Sequence, residues 1–219
     1  MARMRVVSGS LVLAAGSLIG AGLSRIEQPR EGSPRPASQP ASQPAPTIAQ
    51  PAPTVEADAV ESIELPGVAH AELTRLGGDW SWTSVFRMSP DSPGSEPEGG
   101  SATVEAILDG RFIAIREIGL MLGESIESLK ILGHNNAAGV YEGTWLYTGS
   151  TATMRLRGQS QDNNTLIVCQ AQYATGPEQQ QRFLVTIHIR SSDEFSTSLV
   201  ALLPDGSSGP TIDTTYRRE

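Results

Sequence analysis

From residue 79 to residue 217 the chain alternates apolar and polar side chains in short runs, each ending at a cluster of turn-forming residues. Period-two alternation places successive side chains on opposite faces of an extended strand. The runs predict about ten strands: 79–88, 101–108, 111–121, 124–132, 140–147, 151–159, 165–173, 180–190, 194–203 and 211–217. Turn chemistry separates them. Asp109-Gly110 suits a tight hairpin, because glycine tolerates positive φ. "HNNAAG" at 134–139, "TGS" at 148–150, "DNN" at 162–164, "GP" at 176–177, "SSD" at 191–193 and "PDGSSGP" at 204–210 are further turn clusters. The longest break, "SPDSPGSEPEGG" at 89–100, has the composition of a loop.

Strands in succession, joined by short turns, form an antiparallel meander. Closing the meander into an up-and-down barrel removes its unpaired edges. A two-sheet sandwich is the rival, but it usually needs longer cross-over connections than these turns supply. A barrel of eight to ten strands either fills its interior with side chains or holds one small ligand. A short helix is expected at 70–76, "HAELTRL", stopped by Gly77-Gly78.

Composition divides the chain into three parts. All 11 aromatic residues lie between Trp80 and Tyr216, which implies one packed core. The part after Gly67 has 152 residues, the size of a single domain. Residues 1–24 have the anatomy of an export signal: Arg3 and Arg5, then an uncharged stretch from Val6 to Leu23, then small residues for cleavage. An uncleaved membrane anchor is the alternative, since those 18 residues approach a spanning length. Residues 25–67 hold nine of the 15 prolines and no aromatic residue, so they read as a disordered, extended tether. The expected location is therefore periplasmic or extracellular, with membrane attachment only if the leader is retained.

From Val68 onward 11 Lys and Arg face 18 Asp and Glu, a net charge of -7. That balance disfavours nucleic acid and anionic membrane surfaces as partners. The single cysteine, Cys169, precludes an intrachain disulfide and shares a strand face with Ile167, Ala171 and Tyr173. A small buried core residue is the expectation for it.

Gly78-Asp79-Trp80, at the start of the first strand and just after a short helix, resembles the opening of lipocalin and calycin barrels. That resemblance implies that Trp80 packs across the closed end of the barrel. "LDGRFIAIREIG" (108–119), "ILGHNNAAGVYEGTW" (131–145) and "TYRR" (215–218) resemble an uncharacterised bacterial family, domain of unknown function 1579. The similarity runs from about His70 to the C-terminus. It implies an all-β, antiparallel, lipocalin-like barrel and brings no activity with it. Two positions depart from the family pattern: Gly133-His134-Asn135-Asn136 at the fourth turn, and Tyr147 where the family tends to have aspartate.

No reaction can be read from the chain. His70, His134 and His188 fall in a helix, a turn and a strand, without metal-ligand spacing. His188 is a candidate haem ligand only by analogy with small barrels that bind haem through one strand histidine. No G-x-S-x-G elbow, P-loop or dinucleotide fingerprint occurs, and no cofactor or metal is expected.

What remains is the aromatic set. Trp80, Trp82, Ser84, Phe86 and Met88 share a face of the first strand, and Tyr141, Gly143, Trp145 and Tyr147 share a face of the fifth. Turned inward, these faces give an apolar interior with an indole and a phenol as polar handles. The expected function is non-enzymatic: binding of a small, mostly apolar molecule by Trp82, Trp145 and Tyr147, with Arg116 for an anionic head group. The alternatives are an interaction module on a stalk, with a filled barrel, and a haem barrel.

Overall fold

A computed structural model describes residues 63–176 and 179–219. The leader expected at 1–24, and the tether up to residue 62, lie outside the described residues. Among the described residues, helix α1 (Val68–Thr74) precedes ten strands. These are β1 (Gly78–Arg87), β2 (Glu98–Ile107), β3 (Phe112–Met121), β4 (Glu124–Asn135) and β5 (Val140–Tyr147), followed by β6 (Met154–Gln161), β7 (Leu166–Gly176), β8 (Gln179–Ile189), β9 (Glu194–Leu202) and β10 (Ser208–Arg218).

Each strand pairs antiparallel with its neighbours in sequence, and β10 returns to β1, closing the barrel. The closing register runs from Trp80 opposite Arg218 to Arg87 opposite Thr211. Closure satisfies the backbone groups that an open sheet would leave along its first and last strands. The expected strands all form, with ends shifted by a few residues.

Turn chemistry explains the register. Leu122 and Gly123 both have positive φ, 54° and 76°, and join β3 to β4 between the paired Met121 and Glu124. Two positive-φ residues match the right-handed twist of the flanking strands. Asp162, Asn163 and Asn164 all lie in the left-handed region, which Asp and Asn tolerate better than other side chains.

The two ends of the barrel differ. Helix α1 packs against β3 and β4 at one end, where Leu73 and Leu76 are almost fully buried. Residues 63–67, assigned by composition to the tether, are tied to this end: Arg111 Nη2 donates to Glu64 O at 3.1 Å, and Asn136 Nδ2 donates to Leu65 O at 2.8 Å. The other end carries the loops after β1, β3, β5, β7 and β9.

Candidate functional site

Trp80 is fully buried just inside the helix-capped end. Its Nε1–H donates to Leu76 O at 2.9 Å, and the Arg218 guanidinium lies 4.4 Å from the ring centroid. Trp80 meets Phe195 edge-to-face at 4.8 Å, and Phe195 stacks on Tyr216 at 4.1 Å. These rings, with Ile167 and Cys169 also fully buried, fill the closed half. The plug expected at Trp80 therefore belongs to a longer aromatic column.

A polar cluster sits on top of this column. Glu117 on β3 is 4% exposed, yet it is ionisable, so its partners decide whether it is tolerable there. Lys130 Nζ donates to Glu117 Oε1 at 2.5 Å and to Tyr216 Oη at 2.8 Å. Tyr216 O–H donates to Glu117 Oε1 and Ser128 O–H donates to Glu117 Oε2. Burial alone would raise the Glu117 pKa, but the Lys130 charge and the three donors outweigh it, so the carboxyl titrates below its ordinary value. Burial and the facing Glu117 charge push the Tyr216 phenol far up. The cluster thus holds an anion, a cation and a neutral phenol.

Above the cluster the barrel opens into a cavity of about 80 Å³. Its walls are mostly apolar: Trp82, Phe86, Met121, Ile126, Met154 and Ile212 are among them. The charged side chains on its lining are Glu117 and Lys130. Ser84 and Thr214 add a hydroxyl pair at 2.6 Å. A smaller void of about 30 Å³ lies alongside, and Lys130, Trp145 and Leu199 line both. A wider hollow of about 770 Å³ lies around β5 and β6, largely against their outer faces, and its Arg157 is already paired with Glu142.

The three expected wall residues converge here. Trp82, Trp145 and Tyr147 all line the 80 Å³ cavity. Trp82 presents its ring, since its Nε1–H is bound to Ser101 O at 3.0 Å. Its ring lies over Gly119, where a Cβ would come within 2.7 Å of Trp82 Cζ2. Trp145 is different: its Nε1 is buried and has no hydrogen-bond partner among the described residues. Lys130 Nζ lies 4.4 Å from the Trp145 ring centroid. Burial, and then a hydrogen bond with Tyr173, drive the Tyr147 phenol up, so it stays neutral. Met88, expected on the same face as Trp82, lies past the end of β1 and is exposed.

Two expectations are corrected. Arg116 is exposed and lies on the outer face of β3, because its neighbours Ile115 and Glu117 turn inward. It does not line the cavity; the cation there is Lys130. His188 lies on the outer face of β8, opposite the inward row Phe183, Val185, Ile187 and Ile189. A haem inside the barrel is out of its reach. The other two histidines meet at the closed end, with ring centroids 5.7 Å apart, and His70 Nδ1 accepts a hydrogen bond from Gly67 N–H at 3.0 Å.

The polar cluster is what sequence reading missed. Lys130 is the only lysine in the chain and falls between Ser128 and Leu132 on the inward row of β4, which was the available signal.

The family model of the protein of unknown function DUF1579 matches residues 65–218. The chain belongs to the DUF1579 family. No curated protein matches it by sequence. Among solved structures, this DUF1579 barrel is similar to Rv2717c from M. tuberculosis, with a TM-score of 0.49 and 13% identity over 70% of this chain and 98% of that one. It is also similar to the S-type phycobiliprotein lyase CPES from Guillardia theta, with a TM-score of 0.45 and 11% identity over 70% of this chain and 98% of that one. A de novo designed fluorescence-activating β-barrel matches with a TM-score of 0.36 and 17% identity, covering 65% of this chain and 93% of the design.

Proposed function

We propose that this DUF1579 barrel binds a small, mostly apolar molecule in the cavity above the Glu117–Lys130–Tyr216 cluster. The observation that carries the reading is the unfilled open half: a cavity of about 80 Å³ walled by Trp82, Trp145 and Tyr147, over the buried Trp80–Phe195–Tyr216 column. One water needs about 10–15 Å³, whereas pockets for drug-sized ligands span about 300–1,000 Å³. The guest is therefore small, or buries one end and leaves the other at the mouth. The export-signal anatomy of residues 1–24 and the Pro-rich stretch behind it support an exported protein that holds this barrel on a tether.

The test is a titration of the intrinsic tryptophan emission with a library of small lipids and apolar metabolites. Saturable shifts, lost in Trp82→Ala and Trp145→Ala variants that still unfold cooperatively, are expected. A library without effect on the emission contradicts the reading.

A second reading takes the barrel as an interaction module. Ile118 and Leu120 stand 57% and 48% exposed on the outer face of β3, and Leu146 is also exposed on β5. Exposed apolar side chains on an outer sheet face are candidates for protein contacts. A partner retained by Trp145→Ala but lost in Ile118→Ser would favour it.

A further inference from the structure

We infer that the guest is an uncharged molecule whose buried end carries a hydrogen-bond acceptor, such as a ketone, ester or amide carbonyl, and that carboxylates are rejected. The inference rests on the cavity reading above and specifies its ligand class. Three observations carry it.

The first is a donor without a partner. Trp145 Nε1 is buried and unpaired, and Trp145 lines both interior voids. A buried N–H without an acceptor is costly, so a guest that supplies one gains what an alkane does not. Lys130 is a second source, since Glu117 and Tyr216 take two of its three N–H groups. Lys130 Nζ lies 4.4 Å from the Trp145 ring centroid, so the two donors are neighbours, and an acceptor is the group they can share.

The second is charge balance. The cavity lining holds one cation and one anion, and they are paired at 2.5 Å. A carboxylate brought to Lys130 would also stand beside Glu117, leaving two buried negative charges against one positive. Burying an uncompensated charge is far more costly than burying a neutral carbonyl.

The third is the absence of a spare cation. Arg116, the residue expected to meet an anionic head, points outward from β3. Among the described residues, Lys130 is the only cation on the cavity lining.

The test compares three guests of matched length on the full chain at neutral pH: heptan-2-one, heptanoate and heptane. Tryptophan emission and calorimetry give the affinities. Heptan-2-one is expected to bind about tenfold or more tighter than either of the others, the worth of one buried hydrogen bond. Trp145→Phe, which keeps the ring and removes the N–H, should weaken the ketone toward heptane, with Lys130 retaining the remainder of the preference. Glu117→Gln leaves Lys130 uncompensated and should turn the preference toward heptanoate. Heptanoate binding as tightly as the ketone to the unmodified protein, or ketone and heptane binding equally, overturns the inference while the cavity reading stands. If none of the three binds, the cavity reading fails and takes this inference with it.

Discussion

Lys130 Nζ and Glu117 Oε1 lie 2.5 Å apart inside the barrel, joined across the β3–β4 ladder with side chains only 14% and 5% exposed. Removing one partner strands the other in a poorly solvated site. Lys130→Met is therefore expected to cost about 3–5 kcal/mol of stability, whereas Glu117→Gln combined with Lys130→Met should restore much of it. Urea unfolding of the two single variants and the double variant checks this. Additive losses would mean that the pair contributes nothing as a pair.

The same pair makes the fold sensitive to acid. Glu117 titrates lower in the folded chain than its ordinary value near 4.5, because Lys130 and the donors around it outweigh the burial that acts the other way. A depressed carboxyl contributes stability above its unfolded pKa and loses it as pH falls through the folded one. Stability should thus hold at neutral pH and fall below about pH 4.5. In Glu117→Gln that part of the decline should be missing from denaturation curves recorded between neutral and acid pH.

Gly119 makes room for the wall of the cavity. A Cβ there would sit 2.5 Å from Gly99 O and 2.7 Å from Trp82 Cζ2, inside van der Waals contact with both. Gly119→Ala is expected to destabilise by about 1–3 kcal/mol, as overpacking does, and to displace the Trp82 ring. The check is a lower melting temperature together with a changed near-ultraviolet dichroism. An unchanged spectrum would place the Trp82 ring elsewhere.

Cys169 is fully buried on the inner face of β7, and burial pushes its thiol up to about 11. At neutral pH it is protonated and shielded, so an aromatic disulfide reagent should label the native protein far more slowly than the denatured one. Equal labelling rates would contradict the closed, packed lower half.

How far these features could be read beforehand varied with the strand. On β1 and β5 a single face carries the aromatic residues, so alternation alone placed Trp82, Trp145 and Tyr147 together. On β3, "FIAIREIGLM" is apolar on both faces, with Ile113 and Ile115 on one and Ile118 and Leu120 on the other. Period two then cannot choose a side, and Arg116, expected inside, lies outside. On β8 the contrast is sharper, with Phe183, Val185, Ile187 and Ile189 on the inner face and Arg182, Thr186 and His188 on the outer one, so His188 was a candidate by analogy alone. The polar cluster was out of reach for another reason. Glu117 is 13 residues from Lys130 and 99 from Tyr216, and only the registers of the closed barrel bring them together. The barrel and its aromatic wall were visible because turns and alternation are local; the polar cluster was not, because Tyr216 joins it only through closure of the barrel.

The central claim is that the space above the cluster receives a guest, and the indole N–H resonances of the three tryptophans test it most directly. In an ¹H–¹⁵N spectrum of the full chain titrated with heptan-2-one, the Trp145 signal should move most, as its unpaired N–H gains an acceptor. Trp82 should move less, because its N–H stays on Ser101 O, and Trp80, held by Leu76 O at the foot of the aromatic column, should stay in place. A spectrum in which none of the three moves, or in which Trp80 alone moves, would contradict the account.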